Sequence, residues 1–153
     1  MNKSSFVKNF ITFNEILDFN FISNLVNKNN FESSISSNWM ESFILESVFK
    51  IKNVQNDFFF KEMFLLLNNN YNKEKNHATI DLYFSMVSGS KSITHKDDYD
   101  VLIIGMYGKT LYIVEEEEFI VEPGDLLSIP KNKLHKAMGI SPRIIASYGV
   151  NLK

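Results

Sequence analysis

The chain contains no cysteine. That excludes disulfides, thiolate metal sites, iron–sulfur clusters and a cysteine nucleophile, so any metal must be held by imidazole and carboxylate. Histidine is scarce as well, at 3 residues, and each position therefore matters. No charge of one sign dominates: 16 basic residues face 18 acidic ones for a formal net charge of −2. Such a balance gives no electrostatic case for a nucleic-acid or membrane-surface partner. The longest apolar runs, Met63 to Leu67 and Val101 to Ile104, are too short to cross a bilayer. The start, Met1 to Phe6, leads into Lys8, Asn9, Asn14 and Glu15 with no signal-peptide apolar core, so a soluble, cytoplasmic protein is expected. The residues that are present suffice for a core. Over 153 residues the chain is 44% hydrophobic and 14% aromatic, including 14 Phe, which argues against disorder and for a single domain spanning residues 1–153.

Two textures divide the chain. Up to about Asn76 it is rich in asparagine, and apolar residues recur at helical spacing. One stretch runs from Ile16 to Val26. A second runs from Trp39 to Phe49, with Asn38 as N-cap and Glu41 three residues later, and a third runs from Phe58 to Leu67 after Asp57, ending in Asn68-Asn69-Asn70. Residues 1–76 are thus expected to be helical and to pack on the C-terminal half of the chain. After His77 the texture becomes short β-rich runs: Ile80 to Val87, Tyr99 to Met106, Thr110 to Val114, Phe119 to Val121, Leu126 to Ile129 and Arg143 to Val150. Glycines and prolines punctuate them as in an all-β sandwich or barrel. The acidic run Glu115 to Glu118 reads as a solvated hairpin.

One constellation carries chemistry. His95 and Asp97 are two residues apart, so on a strand they share a face and can reach one ion. His135 offers a third ligand after a turn, a strand and a second turn. Two imidazoles and one carboxylate on one side of an ion leave other positions open, the arrangement non-haem Fe(II) oxygenases use. His77, far from the others in sequence, reads as a loop residue.

The surrounding residues resemble a known superfamily. Gly124, Pro130, Asn132 and His135 are spaced as in the second cupin motif, with Asn132 in place of a glycine, a change tolerated because Asn accepts positive φ. Gly89, His95, Asp97 and Gly108 resemble the first motif, with Asp97 where a second histidine usually stands and Val101 or Leu102 at the glutamate position. The run from Ile80 through His95-Lys96-Asp97 to Gly108, and on to Glu122-Pro123-Gly124-Asp125, resembles the JmjC-type hydroxylases that include the bacterial ribosomal oxygenases. The resemblance covers roughly the C-terminal half.

It implies a mainly β fold, a double-stranded β-helix formed by residues 77–153 with the N-terminal helical segment packed on it. It also implies Fe(II), held by His95, Asp97 and His135, and 2-oxoglutarate as cosubstrate for hydroxylation of a peptide, protein or small molecule. Two departures are visible. The basic residue that pairs with the far carboxylate of 2-oxoglutarate in that family is here Thr110, and alternation from that position turns the neighbouring Lys109 to the opposite face; counted from His95, the inward parity reaches Lys109 only if the strand continues unbroken, and a bend or bulge at Gly105 or Gly108 reverses it. Arg143, the chain's one arginine, with Ser147 four residues on, is the substitute anchor, because its planar fork pairs bidentately with a carboxylate. Counting from His95, the inward parity takes in Asp97, Tyr99, Val101, Ile103 and Gly105; Tyr99 and Tyr83 are candidate lining residues. The rival from another class is a non-catalytic cupin module that binds a small ligand or serves as a structural or interaction protein, and Thr110 supports it. A metal-dependent cupin isomerase or oxygenase without 2-oxoglutarate is disfavoured by the missing second histidine and glutamate. The apolar surplus of the N-terminal half points to a homodimer.

Overall fold

A computed structural model describes residues 3–13, 20–21, 23–24, 31–33, 48–73, 76–89 and 91–151. The elements are β1 (Ser5–Val7), β2 (Phe31–Ser33), β3 (Phe49–Ile51), α1 (Phe58–Tyr71), β4 (His77–Ser85), β5 (Val101–Tyr107), β6 (Thr110–Val114), β7 (Glu117–Val121), β8 (Leu126–Ile129), β9 (His135–Gly139) and β10 (Arg143–Asn151). They form a 7-stranded sheet in the order β1-β8-β5-β10-β4-β3-β2 and a 3-stranded sheet in the order β7-β6-β9. All pairings are antiparallel. This is the jelly-roll arrangement that the resemblance implied.

Strand alternation sorts the buried residues into two cores on opposite faces of the large sheet. Val101, Ile103, Leu127, Ile129 and Ile145 point toward the small sheet and meet Tyr112, Val114, Val121 and Ala137. Their sequence neighbours Leu102, Ile104, Leu126, Ile144 and Tyr148 point outward and meet Phe60, Met63 and Leu67 of α1. Those three helix residues lie on one face by their spacing. The helix starts after Asp57, as expected, and the Asp57 carboxylate caps it by accepting the Phe59 N–H at 3.1 Å.

Several expectations need correction. The helix does not stop within Asn68-Asn69-Asn70 but runs through them to Tyr71. The asparagines sustain it: Asn70 Nδ2 donates to the Leu66 carbonyl at 2.8 Å, and Asn68 Oδ1 accepts from buried Tyr148 at 3.2 Å. Phe49, read as the end of a helical stretch, lies in strand β3, where it stacks on Phe84 at 5.2 Å. The N-terminal half is therefore not purely helical, since β1, β2 and β3 widen the large sheet at both edges. Of the Ile16 to Val26 stretch only 20–21 and 23–24 are described, and they are helical; the stretch from Trp39 to Ser47, with the Asn38 cap and Glu41, lies outside the described residues. β9 was not anticipated. In the β6–β7 hairpin Glu115 takes a left-handed backbone (φ 55°) and its carboxylate accepts from Lys133 at 2.8 and 3.0 Å, so the acidic run is a solvated turn with one ion pair. Among the described residues no helix is long and apolar enough to cross a membrane.

Candidate metal centre

His95 and His135 face each other across an isolated antiparallel bridge, His95 N–H donating to the His135 carbonyl at 3.0 Å and His135 N–H to the His95 carbonyl at 2.8 Å. Their ring centroids are 4.3 Å apart. Asp97 Oδ2 lies 3.5 Å from His135 Nε2, and one ligand atom from each of His95, Asp97 and His135 falls within 4.8 Å of the others. His135 is buried, Asp97 half-buried and His95 exposed, so the cluster opens on one side.

The donor set fits a cation. His95 Nδ1 lies 2.8 Å from the Ile93 carbonyl and His135 Nδ1 lies 3.0 Å from the Lys133 carbonyl. A carbonyl only accepts, so each Nδ1 carries a proton, and in the neutral imidazole Nε2 is then the nitrogen with a lone pair for a metal. Asn132 completes the local geometry. Its φ of 64° confirms that it occupies a glycine-like position, and its N–H donates to the Asp97 carbonyl at 2.7 Å.

A pocket of about 130 Å³ adjoins the cluster, lined by the triad and by Tyr83, Tyr99, Tyr112, Arg143 and Ser147 among others. The inward parity counted from His95 holds, since Asp97, Tyr99, Val101 and Ile103 all line it. Arg143 and Ser147 alternate inward along β10 with Ile145. Arg143 is only 3% exposed, its Nη1 has no hydrogen-bond partner, and burial lowers its pKa. Burial pushes the Tyr112 phenol up, with the Arg143 charge offsetting part of that rise. Burial and then the Asp97 carboxylate push Tyr99 up.

Two sequence candidates lie elsewhere. Lys109 follows the left-handed turn at Gly108 (φ 67°) and pairs with Glu122 at 2.7 Å, so it is not a pocket residue. Thr110 is buried and its Oγ1 lacks a partner, yet it does not line the pocket. His77, read as a loop residue, is instead the first residue of strand β4, exposed opposite Asn151 in β10. Tyr112 was missed, although its shared parity with Thr110 on β6 would have found it. Ser92 was also missed; it lines the pocket and accepts the Ala137 N–H at 2.8 Å, and nothing in the sequence marked it.

No protein-family model matches the chain, and no curated protein matches it significantly. Solved structures do share its fold. The structure of YcfD, a ribosomal oxygenase from Escherichia coli, in complex with cobalt and 2-oxoglutarate aligns with 99% of this chain and 48% of its own, at 18% identity and a TM-score of 0.75. The YcfD complex with cobalt and succinic acid gives the same values. A further E. coli YcfD structure aligns with 99% of this chain and 50% of its own, at 16% identity and a TM-score of 0.76. The chain thus spans about half the length of these structures. At this identity the likeness shows the fold, which agrees with the resemblance read from the motifs.

Proposed function

We propose that the chain is an Fe(II)- and 2-oxoglutarate-dependent oxygenase that hydroxylates a peptide, protein or small-molecule substrate. The observation that carries this reading is the position of Arg143: a buried guanidinium with a donor unpartnered shares one small pocket with a His–Asp–His cluster. A cation site and an unsatisfied guanidinium a pocket's width apart suit a ligand with two anionic ends. YcfD, whose fold the chain shares, has been solved with cobalt and 2-oxoglutarate.

In this reading His95 Nε2, His135 Nε2 and an Asp97 oxygen hold the iron on one face. Iron bound there would supply the oxidising chemistry with O₂ as oxidant, one oxygen atom going to 2-oxoglutarate as it becomes succinate and CO₂ and the other into a substrate C–H bond to give C–OH. The protein's own residues provide placement. Arg143 fixes the far carboxylate bidentately, in a setting where the charge pair is shielded from water. Tyr112, Ser147, Tyr83 and Tyr99 line the pocket. Lys109, held by Glu122, takes no part.

Titrating 2-oxoglutarate into Mn(II)-loaded protein tests the reading. Wild type and Lys109→Ala are expected to bind alike, whereas Arg143→Ala loses about 2–5 kcal/mol of binding. Loss in Lys109→Ala with near-normal affinity in Arg143→Ala would mean the anchor was misassigned. The second reading, a non-catalytic cupin module, is favoured by Thr110 at the usual basic position, and it stands if wild type binds no 2-oxoglutarate. A single domain acting as a cytoplasmic homodimer belongs to the same proposal, and sedimentation velocity tests the dimer.

A further inference from the structure

We infer that Asp100 is a positioning residue for the metal centre, its carboxylate clipping the corner that carries Asp97 to the turn that leads into His135. This rests on the reading of the triad as a metal site. Two stretches of chain pass together from the large sheet to the small one at this corner. On the large-sheet side Val101 pairs with Ile129, the last rung between β5 and β8. On the small-sheet side His95 pairs with His135. Between these rungs backbone pairing cannot continue, because residues 97–100 bend away while residues 130–133 make a turn.

Two hydrogen bonds span the gap. Lys131 N–H donates to Asp100 Oδ1 at 2.9 Å, and Asn132 N–H donates to the Asp97 carbonyl at 2.7 Å. The Asp100 side chain thus stands where a backbone carbonyl would have continued the ladder. Its bond is adjacent in sequence to the one that holds the Asp97 backbone, so losing the first leaves that bond and the His95–His135 bridge to set the distance from Asp97 to His135. That distance, 3.5 Å between Oδ2 and Nε2, is what a shared ion depends on. Asp100 touches no ligand atom; it acts through the corner.

The turn permits removal of the bond from either side. Lys133 N–H donates to the Pro130 carbonyl at 3.3 Å and Asn132 has φ 64°, so Lys131 occupies the second position of a type II-like turn, where proline is favoured. Lys131→Pro deletes the donor and keeps the turn, Asp100→Ala deletes the acceptor, and Asp100→Asn keeps an acceptor oxygen without the charge. Mn(II) affinity by electron paramagnetic resonance is expected to fall about tenfold in Asp100→Ala and in Lys131→Pro, in the range that supporting partners of metal ligands contribute. It should fall no further in the double variant, because both remove one bond, and it should stay near wild type in Asp100→Asn. A merely structural role would lower the melting temperature of Asp100→Ala without weakening Mn(II) binding, and that result overturns the proposal, as does an Asp100→Asn variant as weak as Asp100→Ala. Amide hydrogen exchange in metal-free protein separates the clip from the triad. Faster exchange at Asn132 and His135 in Asp100→Ala and Lys131→Pro supports the clip even if wild type takes up no Mn(II), which would sink the triad reading instead; unchanged exchange at both sites overturns the clip whatever the metal does.

Discussion

The two faces of the large sheet solve opposite problems. On the outer face the polar atoms among the apolar side chains have partners: the Tyr148 hydroxyl donates to Asn68 Oδ1, and Asn72 Nδ2 is shared between Asn68 Oδ1 at 2.8 Å and the Asn76 carbonyl at 2.6 Å. Aromatic rings fill the rest, with Phe59 and Phe60 5.1 Å apart and Phe64 6.0 Å from Tyr148. Burial alone pushes the Tyr148 phenol up to about 12. Between the sheets the balance is reversed, since the buried side-chain atoms there include two without partners, Thr110 Oγ1 and Arg143 Nη1. A buried group left unsatisfied costs about 1–3 kcal/mol. Among the described residues this cost falls on the inner face, and in the proposed function a ligand carboxylate would offset it at Arg143.

The sharpest way to break this contrast is from the sealed side. Phe60 is fully buried against α1's neighbours and the large sheet. Phe60→Ala is expected to cost about 3–5 kcal/mol in denaturant unfolding and to leave Mn(II) affinity of the folded protein unchanged. If metal affinity fell with stability, the two faces would be coupled and the division would be wrong.

The next effect has the opposite sign. Replacing Arg143 by Met keeps a similar stem but removes the charge and the unpartnered donor. Such exchanges are often neutral or stabilising, and here a gain of about 1–3 kcal/mol is expected, the cost of the unsatisfied group, together with loss of 2-oxoglutarate binding. Lower stability in Arg143→Met would show that the guanidinium is a structural member of the inner core rather than a group held for a ligand.

The same contrast separates the legible parts of the sequence from the rest. Where period and turn chemistry act alone, the sequence was readable: β6 and β8 have the bounds expected of them, α1 starts after Asp57, Asn132 takes positive φ, and Asp97, Tyr99, Val101 and Ile103 share one face. The candidate triad rested on less: alternation put His95 and Asp97 on one face, and His135 joined them through the resemblance to the second cupin motif. The features that escaped it depend on partners distant in sequence. Phe49 has helical neighbours by spacing, yet its place in β3 is set by pairing with Phe84 of β4. β1 exists through β8, more than a hundred residues away in the chain, and three residues carry too little pattern to declare it. β9 alternates buried and exposed positions, but its inward residues are His135, Ala137 and Gly139, two of them too small to mark a strand. The extension of α1 through the asparagines required knowing that Tyr148 would lie beneath Asn68.

The smallest expected effect concerns a third surface, a charged clasp that joins the N-terminal residues to the β7–β8 turn. Lys8 Nζ lies 2.8 Å from Asp125 Oδ2 and 3.0 Å from Glu122 Oε2, while Lys109 holds Glu122 Oε1 at 2.7 Å. Buried Asp125 anchors the clasp by accepting the Asn9 N–H at 3.1 Å and the Glu122 N–H at 2.9 Å. Ile11 N–H then donates to the Gly124 carbonyl at 3.1 Å, and a side chain at Gly124 would collide with the Ile11 carbonyl. The hydrogen bond from Lys109, then that from Lys8, holds the Glu122 carboxyl below its ordinary 4.5, and the Asp125 hydrogen bond leads the interactions that raise Lys8 above 10.5. A carboxyl depressed in the folded state contributes stability above its unfolded value and loses that contribution as pH falls through the folded one. A raised lysine does the reverse, contributing below 10.5 and losing the contribution as pH rises through its folded value. The clasp is therefore strongest between those limits and weakens on both sides. Because Glu122 and Lys8 are solvent-exposed, the effect should be small and should shrink in 1 M salt. Thermal unfolding of wild type against Glu122→Gln from pH 7 downward is expected to show a difference that narrows toward zero as pH drops below the depressed Glu122 value, with protease sensitivity of residues 3–13 rising over the same range. A difference that persists undiminished in acid would assign the clasp to the Asp125 backbone bonds alone.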